Sequence, residues 1–441
     1  MAMAMEAMLS EFDYFTPTII QSAIVGEYDD VISPVNAINP STSTGLNTLE
    51  FNIPGAADLY RDLNNSYLMV KIKIVATDGT ALGGTAATAP VNLMLHSLFS
   101  NVSVTLCGKE ISEKDTLYPY RAYLETLLTY NPNVLSTRMA SEGWRKDDAA
   151  VMEGIILAKV GSGPDANTGF VARQKLAGGS EAYVLLGRPH VDLFHQPLDL
   201  PPNCGLTLKL TPSTSAFHLM EVGNGTSKVV LLEARLFVRT KKVAPELVLA
   251  HKEMLQKGNM RFPLNRVTVS RYGIASGFKS ISIPMNFPAK LPKRVFIGLV
   301  SNTATSGQRD KNPFNFQNFG LEDIALTVNG VQLPMNGLQM DYTKKDYMRA
   351  YLNTLQALGL ETDNRAIDIT AAEFGGGFTI YGFKVAPGPV DGAVHTIANS
   401  VGSIVANLTF AAGLGENVDM IVLAETPAII ELDRLSGVNL L

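Results

Sequence analysis

Two histidines that lie close together in the sequence are the first candidates for chemistry. His190 and His195 occur in the segment GRPHVDLFHQP, residues 187–197. A metal site of the cupin kind needs a His-x-His pair, a nearby Glu and a third His, so that three or four ligands converge on the ion. Here the two histidines are five residues apart, and the second half of the chain has no counterpart of the pair. The sequence therefore predicts no metal site and no metal cofactor.

Other motifs of enzymes are also missing from the sequence. Glycine clusters at residues 83–84 and 375–377 lack the Gly-Lys-Ser/Thr ending of a phosphate-binding loop. The chain has no Gly-x-Ser-x-Gly elbow, no HExxH pair and no EF-hand loop. Its carboxylates are scattered, and two of them would form a glycosidase pair only if the fold brought them together. We predict no catalytic and no cofactor-binding residues.

The two cysteines, Cys107 and Cys204, lie far apart in the sequence. Two cysteines alone are too few for a disulfide framework or a zinc cluster. Cysteine is among the residue types most often buried, so we expect two buried thiols in a reducing compartment.

The strands and helices that would position any site are indicated by an internal repeat in the sequence. Residues 121–127 read RAYLETL and residues 349–355 read RAYLNTL, so six of seven positions match at a spacing of 228. An alternating, strand-like segment that ends in Gly precedes each copy, at residues 102–108 and 324–330. The shared order of strand, turn and helix predicts two similar β domains from one duplicated unit.

Both copies of the repeat are predicted to be helices that cover one open end of each β-sandwich. In the first copy the apolar residues fall on one helical face, and Arg121 and Glu125 are spaced for an i,i+4 ion pair. We expect each Arg to pair locally and the Tyr and Leu side chains to be buried. The residues singled out are Arg121, Tyr123, Leu124, Leu127, Arg349, Tyr351, Leu352 and Leu355.

Length and composition indicate two domains with few surface charges. A chain of 441 residues is too long for one ordinary core, and its apolar and charged shares are 46% and 17%. The net charge of −5 argues against a nucleic-acid-binding protein, which would carry a basic patch. The sequence has no apolar run of about 18 residues and no basic start of a secretory signal.

Residues 1–45 are predicted to form an arm outside the two domains. No Lys or Arg precedes Arg61, whereas eight carboxylates do, so the arm cannot neutralise phosphates as basic arms do. Near-helical spacing of apolar residues favours a short amphipathic helix at its start. The candidate assembly residues of the arm are Met5, Met8, Leu9, Phe12, Tyr14 and Phe15.

The remaining chain is predicted to be all-β, with two tandem eight-stranded jelly-roll β-sandwiches and short helices in loops. Each half offers about eight short strands with turn signals between them, and the alternating βα units of Rossmann or TIM folds are absent. We place the first jelly roll at residues 46–244, a linker helix at 245–258 and the second jelly roll at 259–441. Residues 191–194 are expected to be one of the strands.

Several segments together resemble a known family. Residues 99–109 read FSNVSVTLCGK and residues 118–128 read YPYRAYLETLL. These segments are similar to the major capsid proteins of polintons and adintoviruses, in the double jelly-roll lineage that includes adenovirus hexon. The resemblance extends from about residue 47 to the end, through short matches at residues 187–190, 210–213, 233–236, 298–300, 312–316 and 430–433. Residues 383–387 depart from it, because a more acidic turn is expected there.

The resemblance implies a structural, non-catalytic protein without a cofactor. It implies a major capsid protein that forms pseudo-hexameric homotrimeric capsomers of an icosahedral double-stranded DNA virus or virus-like element. Such a protein is located in the virion after assembly in the host cytoplasm or nucleus. The implied partners are further copies and minor and penton capsid proteins. The arm is expected to lie beneath the capsomer, against minor capsid protein or an internal membrane, without direct nucleic-acid binding. Residues 132–180 and 301–320 are expected to project as towers or to contact other subunits.

Two alternatives remain open from the sequence. A two-domain jelly-roll enzyme, such as a bicupin or a glycan-processing protein, would need a metal or carboxylate cluster in a pocket. A tandem glycan-binding protein would be secreted and would often carry disulfides.

Overall fold

The chain folds into two jelly rolls that follow one another in the sequence. The computed structural model describes residues 23–36, 38, 46–84, 86–112, 116–153, 167–221, 225, 227–287, 290–386, 401–434 and 437–440. The strands of the first half are β1 (Ile24–Ile32), β2 (Leu49–Ile53), β3 (Leu59–Val75), β4 (Thr88–Pro90), β5 (Phe99–Leu106), β6 (Lys109–Glu110), β7 (Tyr183–Gly187), β8 (Leu206–Pro212), β9 (Leu219–Glu221) and β10 (Lys228–Val243). Those of the second half are β11 (Met260–Ile274), β12 (Ser280–Met285), β13 (Arg294–Ser301), β14 (Leu321–Val328), β15 (Val331–Gln339), β16 (Ile380–Lys384), β17 (Ile404–Phe410), β18 (Val418–Leu432) and β19 (Val438–Leu440).

Short helices lie between the strands. They are α1 (Met94–Ser97), α2 (Tyr118–Thr129), α3 (Pro132–Ser136), α4 (Thr168–Ala177), α5 (Ser215–His218), α6 (Pro245–Lys257), α7 (Asn302–Thr305), α8 (Met348–Leu358) and α9 (Ala371–Phe374). Residues 138–142 and 192–195 form 3₁₀ turns. In the described part of the chain, no helix is long and apolar enough to cross a membrane.

The two halves have the same sheet topology. In the first half the strand orders are β1-β10-β3-β7 and β2-β8-β5-β6, with a separate β4-β9 pair. In the second half they are β11-β18-β13-β16 and β12-β17-β14-β15, with β19 paired to the end of β18. Each half therefore contains one pair of four-stranded antiparallel sheets in the jelly-roll order. The predicted fold class is confirmed.

The duplicated segments occupy equivalent places in this topology. The hairpin β5–β6 turns at Cys107 and Gly108, and the hairpin β14–β15 turns at Asn329 and Gly330. All four residues have positive φ, as two-residue hairpin turns of this kind require. Helix α2 follows β6 and helix α8 follows β15, each before the next strand of its first sheet. The repeat in the sequence is thus a repeat in the fold.

Alternation along the strands places one face of each sheet in a core. On β3, Leu68, Val70, Ile72 and Ile74 are at most 2% exposed, because every second side chain points inward. One core cluster belongs mainly to the first jelly roll and the other mainly to the second. The second cluster also contains α2 and residues near Trp144 from the first half. The two jelly rolls therefore share an apolar interface.

Two elements differ from the sequence-based expectation. Residues 24–32, which the prediction assigned to the arm, form β1 and pair with β10 along nearly their whole length. Their alternation is weak because β1 is an edge strand with mostly exposed residues. The predicted strand at residues 191–194 is wrong, since residues 192–195 form a 3₁₀ turn. The assembly residues Met5, Met8, Leu9, Phe12, Tyr14 and Phe15 lie outside the described residues.

The expectation of two separate thiols is also wrong. Cys107 and Cys204 are joined in a disulfide, with their Cα atoms 5.6 Å apart. This separation is in the ordinary range for the bond. Cys204 is buried, whereas Cys107 is only half-buried at the β5–β6 turn. The two residues are 97 positions apart, so only the pairing of β5 with β8 brings them together.

Candidate functional site: the interdomain interface

Helix α2 lies between the two jelly rolls, at what is called the interdomain interface below. The first half contributes α2, residues 144–153 and the turn 192–195. The second half contributes β11 and residues 312–317 and 368–377. Pro119 stands in the first turn of α2, where a missing backbone N–H costs nothing. Nine of the twelve helical residues are buried, so the helix is apolar around most of its circumference. Tyr123, Leu124 and Leu127 are each at most 1% exposed.

Arg121 connects this helix to the second jelly roll. Its Nε lies 3.0 Å from Glu125, its Nη2 contacts Asp192, and its Nη1 donates to the backbone oxygen of Val267 at 3.3 Å. Asp192 also accepts from the backbone N–H of Val267 at 3.2 Å. The local pair with Glu125 was expected, but the contacts to Asp192 and to β11 were not visible in the sequence. One guanidinium thus ties α2 to an edge strand of the other domain.

The pKa values of the two carboxylates around Arg121 shift in opposite directions. Burial raises the pKa of Asp192, and the nearby Arg121 guanidinium offsets this only in part. Burial also acts to raise the pKa of Glu125, but Arg121 and His190 together hold that pKa well below its usual range. The Glu125 carboxyl therefore stays ionised at lower pH than a free glutamate would.

A buried histidine network adjoins this ion pair. His190 Nδ1 lies 2.6 Å from Glu125, and His96 Nε2 lies 2.9 Å from Glu142. The Tyr118 hydroxyl accepts from the backbone N–H of His190 at 3.1 Å and contacts His96 Nδ1 at 2.9 Å. Tyr118 can therefore donate to His96 Nδ1 while His96 Nε2–H donates to Glu142. Burial lowers the pKa of His96, which keeps the ring neutral near pH 7.

The same residues could hold a metal ion by geometry. The ligand atoms of His96, Glu142 and His190 lie within 4.8 Å of one another, as do those of Glu125, His190 and His195. The sequence pointed to His190 and His195 but missed His96 and Glu142, which come from distant segments with no shared motif. Hydrogen bonds within the network already engage His96, His190 and both glutamates. The arrangement thus works as a polar network that locks α1, α2 and the 188–192 segment together.

Aromatic rings fill the rest of the interface. The Tyr123 ring stacks on Phe314 of the second half at a centroid distance of 4.2 Å and an interplanar angle of 3°. Trp144 lies 5.4 Å from Tyr123 on the side of the first half. Tyr120 meets Phe314 edge-to-face at 5.6 Å. Stacked and edge-to-face pairs add to the gain from burial, so this cluster is a principal source of interdomain cohesion.

The long excursion after α2 belongs to this interface as well. The Arg173 guanidinium is fully buried and donates to Asp147 at 2.7 Å and to the backbone oxygens of Pro90 and Arg145. Asn312 of the second half donates to the other oxygen of Asp147 at 3.2 Å. This buried charge is tolerated because it is paired and each of its three nitrogens donates a hydrogen bond. Helices α3 and α4 form in the described part of residues 132–180.

The two segments expected to project as towers contact each other across the interface. Glu153 accepts from Gln317 at 3.2 Å, and the backbone N–H of Gly377 donates to Ala149 at 3.1 Å. Lys146 pairs with Asp368 at 3.0 Å and with Glu373 at 2.8 Å. Residues 144–153 are therefore fastened to the second half, and residues 154–166 lie outside the described residues.

Helix α8 has a different environment from α2. Tyr351 donates to the backbone oxygen of Ile369 at 3.0 Å, and Leu355 is half-buried against the second core. Leu352 is 47% exposed, so the expectation that it is buried like Leu124 is wrong. Arg349 is exposed and has no residue equivalent to Glu125, because Asn353 stands at that position and donates to the backbone oxygen of Gly382.

A cavity of about 580 Å³ lies beside the interface, between α2 and β11. Its described lining is made of hydroxyl and apolar side chains with one guanidinium, from Arg271. The lining residues include no carboxylate and no histidine. The acid–base pair or metal ligands that an enzyme of this architecture would use are thus absent from the described walls of this cavity.

No protein-family model matches the chain. An uncharacterised protein of Caenorhabditis elegans is 24% identical over 354 residues, which cover 77% of this chain and 80% of that protein.

Among solved structures, a chain of the Sputnik virophage superposes with a TM-score of 0.65 at 11% identity, covering 96% of this chain and 89% of that chain. The Faustovirus major capsid protein gives a TM-score of 0.54 at 10% identity, with coverages of 93% and 91%. The mavirus major capsid protein gives 0.52 at 11% identity, with coverages of 96% and 92%. These similarities extend over both jelly rolls and show the double jelly-roll fold.

Proposed function

We propose that this protein is a major capsid protein, structural and non-catalytic, that forms homotrimeric capsomers with a pseudo-hexagonal outline. The observation that carries the proposal is the pair of jelly rolls with identical strand order, joined side by side through a buried interface. Three such chains around a threefold axis present six similar lobes, which can tile a hexagonal lattice. The full-length similarity to virophage and Faustovirus capsid structures supports this proposal.

We further propose that the capsid encloses double-stranded DNA in an icosahedral particle of the polinton or adintovirus lineage. The resemblance of residues 99–128 supports this lineage, and the nematode relative favours an element that resides in an animal genome. The protein would be located in the virion, with minor and penton capsid proteins as partners. The acidic start of the chain favours contact with these proteins or an internal membrane over contact with the genome.

The direct test is the native mass of the purified full-length chain by light scattering, with negative-stain images of the same fraction. We expect a stable species of about 142 kDa, three times the 47.5 kDa chain, with hexagonal outlines. A monomer at every concentration tested, with stoichiometric zinc, iron or manganese, would favour a jelly-roll enzyme. A monomer that binds glycans on an array would favour a glycan-binding protein.

A second test concerns the N-terminal arm. Deletion of residues 1–20 is expected to leave the trimer intact but to impair shell assembly, because β1 and all later strands remain. Trimer mass and particle formation are measured on the same preparation. Loss of the trimer in this deletion would contradict the assignment of the arm to contacts between capsomers.

A further inference from the structure

The two copies of the repeat helix differ in exposure at the positions where α2 meets the second jelly roll. In the RAYL alignment Tyr120 corresponds to Met348, and Leu124 corresponds to Leu352. Tyr120 and Leu124 are 2% and 1% exposed, whereas Met348 and Leu352 are 54% and 47% exposed. Two large apolar side chains on one face of α8 thus lie in solvent where their counterparts are buried. The described residues cover each of them only in part.

The second jelly roll of the same chain covers helix α2. Tyr120 packs on Phe314, and Arg121 donates to the backbone of Val267 on β11. Strands β11 and β18 are neighbours in the first sheet of the second half, and α2 lies against both. In the first half, the strands in those two places are β1 and β10. A partner for α8 that follows the same geometry would therefore present a β1–β10–β3–β7 sheet.

The outer face of that sheet carries one row of apolar side chains. The register places Val31, Phe237 and Tyr67 side by side on this row, and Arg235, Met69 and Leu186 side by side on the next. Val31 is 50%, Tyr67 is 40% and Leu186 is 39% exposed. By contrast, seven of eight residues of β13 in the second half are buried, because elements of both halves cover that sheet. The first sheet lacks an equivalent cover in the described chain.

Charges at the two surfaces are complementary. Arg349, the counterpart of Arg121, is exposed on α8, and Lys344 just before the helix is also exposed, although it pairs with Asp341 at 2.8 Å. Strand β1 carries Glu27 and Asp29, whose side chains are 42% and 44% exposed although both contact Arg239. A second copy of this chain supplies both the apolar face and the acidic edge, so a second copy is the occupant.

We propose that helix α8 of one copy packs on the outer face of the β1–β10–β3–β7 sheet of the next copy, with Met348 and Leu352 as its apolar contacts. The contact repeats head to tail and closes after three copies, so that interfaces within and between chains alternate around the ring. This inference rests on the proposed homotrimer and names the surfaces that form it.

The test uses the full-length chain with Leu352→Glu on the helix side and Tyr67→Glu on the sheet side. Each variant is expected to keep the far-UV and near-UV circular dichroism of the wild type, while its mass falls from about 142 kDa to the 47.5 kDa monomer. Leu249→Glu is the matched control, because Leu249 is 60% exposed on α6, which is not one of the two surfaces named in the proposal, and it should stay trimeric. Met348→Glu repeats the helix-side test if Leu352→Glu does not fold.

Mixing the two variants separates this contact from other modes of association. The Tyr67→Glu copy keeps an intact helix α8, and the Leu352→Glu copy keeps an intact sheet face. The mixture should therefore form dimers of about 95 kDa, in which the intact helix of one variant packs on the intact sheet of the other. Trimeric wild type together with trimeric Leu352→Glu and Met348→Glu would overturn this interface but leave the capsomer proposal standing. A wild type that is monomeric at every concentration would overturn both.

Discussion

The stacked pair of Tyr123 and Phe314 offers a direct measure of how firmly the two jelly rolls are joined. Phe314 is fully buried, with its ring 4.2 Å from that of Tyr123, and Tyr120 also contacts it. Truncation of a buried Phe to Ala costs about 3–5 kcal/mol, and loss of the aromatic stacking lies within that range. We therefore expect Phe314→Ala to lower the free energy of unfolding by about 4 kcal/mol.

The assay is urea unfolding followed by tryptophan fluorescence, since Trp144 is the single tryptophan and lies beside Tyr123. With a slope of about 2 kcal/mol per molar urea, the midpoint should fall by about 2 M at the same protein concentration. Phe278→Ala is the control, because Phe278 is 49% exposed, and it should change stability by no more than about 0.5 kcal/mol.

Limited trypsin digestion adds an independent measurement of the same interface. Helix α6 links the jelly rolls and has one buried residue, Val248, so it is held mainly by the domains at its ends. A loosened interface should speed cleavage at Lys252 and Lys257. A loss below about 1 kcal/mol in Phe314→Ala, with unchanged cleavage of α6, would refute the view that this cluster joins the domains.

Three further predictions follow from the described contacts. Leu124→Asp should prevent soluble folding, because it buries a carboxylate at a site that is 1% exposed. Leu352→Asp should give soluble, folded protein, because Leu352 is 47% exposed; equal solubility of the two variants would contradict this. The pKa of His96 is lowered from its ordinary 6.5 by burial, so the unfolded chain binds more protons; the melting temperature should fall as pH drops below about 6.5, and a flat profile between pH 7.5 and 5.5 would contradict the buried neutral ring. Arg121→Met leaves two largely buried carboxylates, Glu125 and Asp192, without their cation and should cost about 3–5 kcal/mol in urea unfolding. Arg235→Met at an exposed pair should cost less than about 1 kcal/mol; similar losses in both would show that the ion pairs of Arg121 are not stabilising.

Much of the fold could be predicted because its signals are local. The strand periods, the two-residue turns at Cys107–Gly108 and Asn329–Gly330 and the linker helix are properties of short segments. Strand β1 was missed because an edge strand with both faces mostly exposed carries little hydrophobic alternation. The 3₁₀ turn at 192–195 was mistaken for a strand because a run of four residues is too short to show a distinguishing period.

The candidate site could be predicted only in part. Arg121 and Glu125 were found because an i,i+4 spacing on a helix brings them together whatever surrounds them. Asp192, Glu142 and His96 were missed because they reach the site from separate loops, and their meeting depends on how α1, α2 and the 188–192 segment pack. The disulfide between Cys107 and Cys204 was missed for the same reason.

The sequence by itself determined that this protein is two copies of one all-β unit, because duplication and strand period are written in neighbouring residues. The tertiary structure alone decided what each copy of the helix does. Leu124 and Leu352 stand in nearly identical heptapeptides, yet one is 1% and the other 47% exposed. Burial depends on what lies opposite a side chain, and only the first helix has the second jelly roll of its own chain to pack against.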